Sequence, residues 1–177
     1  NTVSVTNATN TINFGGIDVS GISGQFTAAL PSAVTNNAQI NVRSVFPPAG
    51  AILPNTDTVV YRLRLEVTNA PATLNAIALN TTGTYIGGSD VSEFSLYYTN
   101  SLTFNTTNLL GTVSASATGS GESLNFTGLS QLFPQDQNGY LWLVTYVQPK
   151  ATAGNTIQVL APDGSDVVFS TTVDTYG

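Results

Sequence analysis

The chain is predicted to be all-β, a single Ig-like or jelly-roll-type antiparallel β-sandwich with an extended N-terminal arm. Three observations carry this expectation. Short runs of alternating apolar and polar residues recur along the sequence and are separated by Pro, Gly and Asn, the rhythm of strands and turns. No stretch keeps the apolar period of a helix beyond one turn. Charge is scarce, at 8% of residues against about a quarter in ordinary domains. The polarity comes instead from Thr, Ser, Asn and Gly, which favour strands and turns and form helices poorly.

Taken in order, residues 1–16 read as an arm and residues 17–177 as the sandwich. Residues 1–14 (NTVSVTNATNTINF) hold no charge. Val3 and Val5 alternate with polar neighbours, and Ile12 and Phe14 resume the alternation after a polar spacer. Gly15-Gly16 separates this stretch from the next segment, with further flexible points at Gly21 and Gly24. Two readings stand: an edge strand of the chain's own domain, or a strand that pairs with another subunit. Residues 17–19 and 25–29 are expected to be short strands. Residues 38–46 (AQINVRSVF) alternate well, with Ile40 and Val42 opposed to Arg43, and Pro47-Pro48 ends them.

Residues 58–68 (TVVYRLRLEVT) hold the clearest pattern in the chain. Val59, Tyr61, Leu63, Leu65 and Val67 fall on one face, and Arg62, Arg64 and Glu66 on the other. This predicts a central antiparallel strand with its inner face in the core and its charges solvated. Strands follow at 73–80, at 94–98 after a Gly-rich turn around Tyr85 and one helical turn from Asp90, and at 109–116 and 123–127. Residues 129–134 lead through Asp136 and the turn pair Asn138-Gly139 into 140–147 (YLWLVTYV). That is the most apolar run, it holds the only Trp, and it reads as a buried central strand. Strands at 155–160 and 166–173, joined by a turn at Pro162-Asp163-Gly164, complete the reading.

Composition also limits function. The net charge is −6 with only four basic residues, too few for a nucleic-acid surface. No run reaches the roughly 18–20 apolar residues of a membrane helix. Without Cys or His there is no disulfide framework, no thiolate or imidazole metal site and no histidine-assisted nucleophile. The start at Asn1 and the absence of Met point to a secreted, extracellular or cell-surface chain whose signal peptide has been removed. Four Asn-X-Ser/Thr triplets, at Asn7, Asn80, Asn105 and Asn125, are candidates for N-glycosylation.

From residue 56 to 159 the order of motifs resembles the β-sandwich domain at the N-terminus of bacterial BNR-repeat neuraminidases and other secreted surface proteins. The matching pieces are VVYRLRLEVT, ATLNAIALNTTGTY, SDVSEFSLYYT, LLGTV, an FTGL segment and NGYLWLVTYVQPKATAGNTIQV. The resemblance implies an accessory, non-catalytic domain and supplies no catalytic residues. In its format of arm, glycine break and sandwich, without a propeller, the chain resembles the subunits of archaeal extracellular filaments, threads and bundling pili. Those are glycosylated sandwiches joined by donor-strand complementation.

No pair of carboxylates is nominated for acid–base work, and no Gly-rich loop precedes a Lys, so the expectation is no enzyme and no cofactor. Asp163 and Asp166 share a turn and are a weak Ca²⁺ candidate, with a plain Asx turn as the simpler reading. Lys150 reads as a solvated strand-end charge rather than an isopeptide partner. The leading expectation is a structural subunit of an extracellular filament, with copies of itself as partners. Val3, Val5, Ile12 and Phe14 would fill pockets of the next copy as a donor strand, and fourteen extended residues reach roughly 46–50 Å. A C-terminal donor, residues 166–173, stays open, as does a sheath or S-layer lattice. The alternative is a secreted, non-catalytic carbohydrate-binding or adhesive module that stacks sugars (glycans) on Tyr85, Tyr97, Tyr98 or Tyr140.

Overall fold

The computed structural model describes residues 3–6, 11–14, 37–45, 47, 50–116, 121–170 and 173–176. The chain divides into two units, Asn1–Val34 and Thr35–Gly177. In the first, β1 (Val3–Thr6) pairs antiparallel with β2 (Thr11–Phe14), Val3 opposite Phe14 and Val5 opposite Ile12. This corrects the expectation of one extended arm, because the second half of the segment doubles back on the first. The expected glycine break and the short strands at 17–19 and 25–29 lie outside the described residues.

Among the described residues the second unit is a sandwich of eleven strands. They are β3 (Ala38–Val45), β4 (Thr56–Thr68), β5 (Ala72–Gly83), β6 (Val91–Thr99), β7 (Leu109–Ser114), β8 (Ser123–Phe126), β9 (Gln131–Phe133), β10 (Gln137–Val147), β11 (Ile157–Val159), β12 (Val167–Phe169) and β13 (Val173–Tyr176). The larger sheet has the order β13-β3-β4-β10-β6-β7. The smaller is built on β5, flanked on one side by β9 then β8 and on the other by β12 then β11. Leu74 and Ile77 each pair to both sides, which makes β5 the spine. Every pair among these strands is antiparallel except β13 with β3, which is parallel.

The period of two in β4 is realised from Tyr61 to Val67, but not at Val59: a register shift against β10 changes the phase there, and Val60 packs on the core instead. Tyr61, Leu63, Leu65 and Val67 are buried, while Arg62, Arg64 and Glu66 are half-buried on the other face. β4 lies between β3 and β10, and β10 between β4 and β6, so both strands read as central are central. Leu65, Leu74, Leu79, Phe94, Leu96, Leu124, Phe133 and Leu143 join one core drawn from both sheets. Each such side chain contributes about 1.5–3 kcal/mol by leaving water. Edge-to-face ring pairs tie the layers together: Tyr85 with Phe94 at 6.0 Å and Tyr98 with Phe133 at 5.1 Å.

Two local expectations are corrected. The single helical turn ends at Asp90 rather than starting there: Asp90 N bonds Ile86 O at 2.8 Å, and β6 begins at the next residue. Asn138-Gly139 is not a turn, because both residues lie inside β10. The reversal occurs one step earlier, at Asp136, which takes φ 58°.

Candidate interaction surface

The outer face of the larger sheet collects the chain's scarce charge. Residues directly opposite in an antiparallel ladder project from the same side, so the register places them in rows. One row runs Val45–Arg62–Trp142–Tyr97–Leu109 across β3, β4, β10, β6 and β7. The next runs Arg43–Arg64–Tyr140–Thr99, and a third Asn41–Glu66–Asn138. Three of the four basic residues therefore share one face.

Their engagement differs. Arg64 Nε donates to Asn138 Oδ1 at 3.0 Å, and its Nη2 pairs with Glu66 Oε2 at 3.2 Å. Arg62 lies over the Trp142 ring, 5.2 Å from its centroid, and its Nε is buried with no acceptor. Arg43 is exposed. Phe104, in the loop after β6, packs on Tyr97 and on Trp142 at 5.6 Å each. Trp142 Nε1 donates to Thr99 Oγ1 at 2.8 Å. Trp142 and Tyr140 are buried at 6% exposure, whereas Tyr97 and Phe104 keep part of their rings open. The sequence reading took the β4 charges as a solvated face and missed this grouping. The signal was the phase of the two neighbouring strands, which sets Arg43 opposite Arg64.

The tyrosines proposed for sugar stacking divide accordingly. Tyr85 is 2% exposed and Tyr98 packs into the core, so of the four only Tyr97 offers ring surface on this face. The Tyr85 hydroxyl sits 2.7 Å from Thr81 Oγ1 and donates to Glu122 Oε1 at 3.0 Å. Glu122 also accepts from Ser116 N and Oγ. Burial first, and then the Glu122 carboxylate, pushes the Tyr85 phenol up to about 12. Because the folded value is raised, this group's contribution is complete below the unfolded pKa near 10 and is lost as pH climbs toward about 12. Tyr85→Phe is expected to cost about 1–2 kcal/mol in denaturant unfolding and to remove a late-ionising tyrosine from an ultraviolet pH titration.

Of the donor-strand residues, Val3, Val5, Ile12 and Phe14 pair with one another across the β1–β2 ladder. Asn105 and Asn125 are exposed, Asn80 is half-buried on β5, and Asn7 lies outside the described residues. The Asn105 side chain already accepts from Thr107 N at 3.1 Å, closing an Asx turn within its own triplet. Asp163 Oδ1 accepts from Ser165 N and Oγ, and Asp166 Oδ2 from Asp163 N. The Ser165 bonds hold the Asp163 carboxyl below its usual range. The pair is thus occupied as a turn, and no group of three or more acidic, His or Cys side chains gathers among the described residues. Lys150 is exposed on the turn after β10.

The terminal strands β12 and β13 fall in different sheets, paired with β5 and β3. No helix among the described residues is long and apolar enough to cross a membrane. Neither protein-family models nor curated proteins yield a match to the chain.

Proposed function

We propose that this chain is a structural subunit of an extracellular filament, in which residues 3–14 of one copy add as a strand to the sandwich of the next. The observation that carries the reading is the outer edge of β7. It is six residues long (LLGTVS) with neither charge nor proline, and among the described residues it ends the sheet. An uncharged edge without proline is a template for another chain, and the one register shift, at Leu110, leaves the run from Gly111 to Ser114 regular. The remaining edges are less open: β13 carries Asp174, and each side of β5 is split between two short strands.

The donor has matching properties. Among the described residues β1 and β2 pair with each other over four rungs and with no other strand, and a two-stranded ribbon is marginal in water. Exchanging that short partner for a longer edge costs little, and a head-to-tail contact that does not close on itself makes a fibre. The likeness in format to archaeal thread and pilus subunits supports the same reading.

The register supplies a test. Ala115 N bonds Ser92 O at 2.9 Å and Tyr98 N bonds Asn108 O at 3.0 Å. By alternation, the Val113 and Gly111 main chains face β6, and that of Thr112 faces outward. Thr112→Pro therefore removes an outward donor without breaking the sheet's own ladder. Removal of residues 1–16 is expected to leave monomers by electron microscopy and sedimentation. Thr112→Pro is expected to lower the polymerised fraction by about tenfold at equal protein concentration. Filaments that persist after the truncation would sink the reading.

A further inference from the structure

We propose that the outer face of the larger sheet binds a carboxylated polysaccharide. Arg62 and Arg43 would take a carboxylate, and Tyr97 with Phe104 the apolar face of a nearby sugar ring. The inference does not depend on the assembly reading.

Charge complementarity comes first. The chain is acidic overall, at −6, yet three of its four cations meet on this face. The three rows that hold the arginines contain one acid, Glu66, and that acid is engaged by Arg64; Asp57, Glu93 and Asp174 lie further along the strands. Arg43 and Arg62 have no carboxylate partner among the described residues. They are diagonal neighbours, since Arg43 stands opposite Arg64 and Arg62 opposite Val45, close enough for both heads to reach one anion. The two terminal nitrogens of a guanidinium make a fork that grips a carboxylate bidentately; Arg62 is half-buried, with its Nε turned away from solvent, so that terminal edge is the one a ligand meets. Stacking on Trp142 fixes the plane of that fork.

The rest of the face suits a sugar. Tyr97 lies in the same row as Arg62, two strand spacings away, or about 10 Å. With Phe104 set at 82° to it, it offers a small aromatic corner. The row beyond carries the hydroxyls of Ser95 and Thr112, 3.1 Å apart. Carboxylate, hydroxyl and apolar ring face thus each meet a partner. A peptide is captured best at an open edge through main-chain bonds, whereas the backbone beneath this face is already spent in the ladder. A nucleic acid would meet the excess of acids over the rest of the surface.

The test is titration calorimetry of the whole chain with oligogalacturonate, with neutral dextran and a sulfated polysaccharide as comparators. The uronate is expected to bind, and to weaken steeply between about 0.01 M and about 1 M salt as the screening length shrinks from about 30 to about 3 Å. Arg62→Lys keeps the charge and the stem over Trp142 but loses the fork, and is expected to weaken binding by about tenfold or more. Arg43→Ala, at an exposed site that folding does not need, should weaken it in the same direction. Lys150→Ala is expected to change nothing. Absence of uronate binding, equal binding of dextran, tighter binding of the sulfated polymer, or a fully active Arg62→Lys would each overturn the assignment. So would an Arg43→Ala chain that binds the uronate normally but associates less with its own copies, since the face would then be a contact between subunits.

Discussion

Asp90→Ala is expected to lower the unfolding free energy by about 2–4 kcal/mol, from three part-buried donors left without an acceptor. Asp90 is 4% exposed. Its Oδ1 accepts from Thr152 N at 2.7 Å, and its Oδ2 from Ile86 N at 2.8 Å and Asn155 Nδ2 at 2.7 Å. Its own carbonyl takes Gln148 N at 2.8 Å. One side chain therefore clamps the turn before β6 to the irregular stretch between β10 and β11, which has no ladder of its own to hold it. Removing the carboxylate takes the acceptor from all three part-buried donors at once. Asp90→Asn, which keeps one acceptor oxygen, should lose roughly half as much. The measurement is the denaturant midpoint at unchanged slope; a shift of Asp90→Ala worth less than about 1 kcal/mol would remove the clamp from the account.

The same contacts give the protein an acid limit. Burial alone would push the Asp90 carboxyl up, but the bonds from Thr152, Asn155 and Ile86 outweigh it, and the group is held below its ordinary value. A lowered folded pKa means that the stabilisation is complete above the unfolded value, about 3.9, and fades as pH falls through the folded one. The native chain should lose stability below about pH 4, and Asp90→Asn should flatten that part of the profile.

How much of this was legible beforehand varies with the kind of pattern. The β4 register was readable because a period of two written in Tyr61, Leu63, Leu65 and Val67 against Arg62, Arg64 and Glu66 permits one orientation only. The buried run of β10 was readable from its length and apolarity. The arginine face was not, although each residue was seen, because it exists only once β3, β4 and β10 are set side by side. Asp90 and Glu122 were invisible for a related reason. Their partners are loop amides and hydroxyls such as Thr152 N and Ser116 Oγ, which leave no periodic mark. The β1–β2 pairing was missed because residues 1–14 hold no Asn-Gly or Asp-Gly pair to announce one.

Gly139 is the sharpest case, and it carries the last expected result. Asn-Gly ahead of an apolar run reads as a turn, yet Gly139 sits in β10 opposite Leu65, with no left-handed φ. What requires glycine is space. A Cβ at this position would meet the Phe133 ring and, at 2.8 Å, Cε2 of Tyr98. Phe133 is fully buried and braced edge-on against Tyr98, so neither ring has room to retreat. At an ordinary strand position Gly→Ala stabilises by about 0.5–1 kcal/mol. Here the sign is expected to reverse, with Gly139→Ala costing about 2–3 kcal/mol through overpacking. Phe133→Leu alone should also destabilise, by opening space in the core. Combined, the two should cost less than their sum, because the smaller side chain makes room for the new methyl. A double-mutant cycle by chemical denaturation reads the coupling directly; strict additivity would mean that the glycine is kept for its backbone and not for the two rings above it.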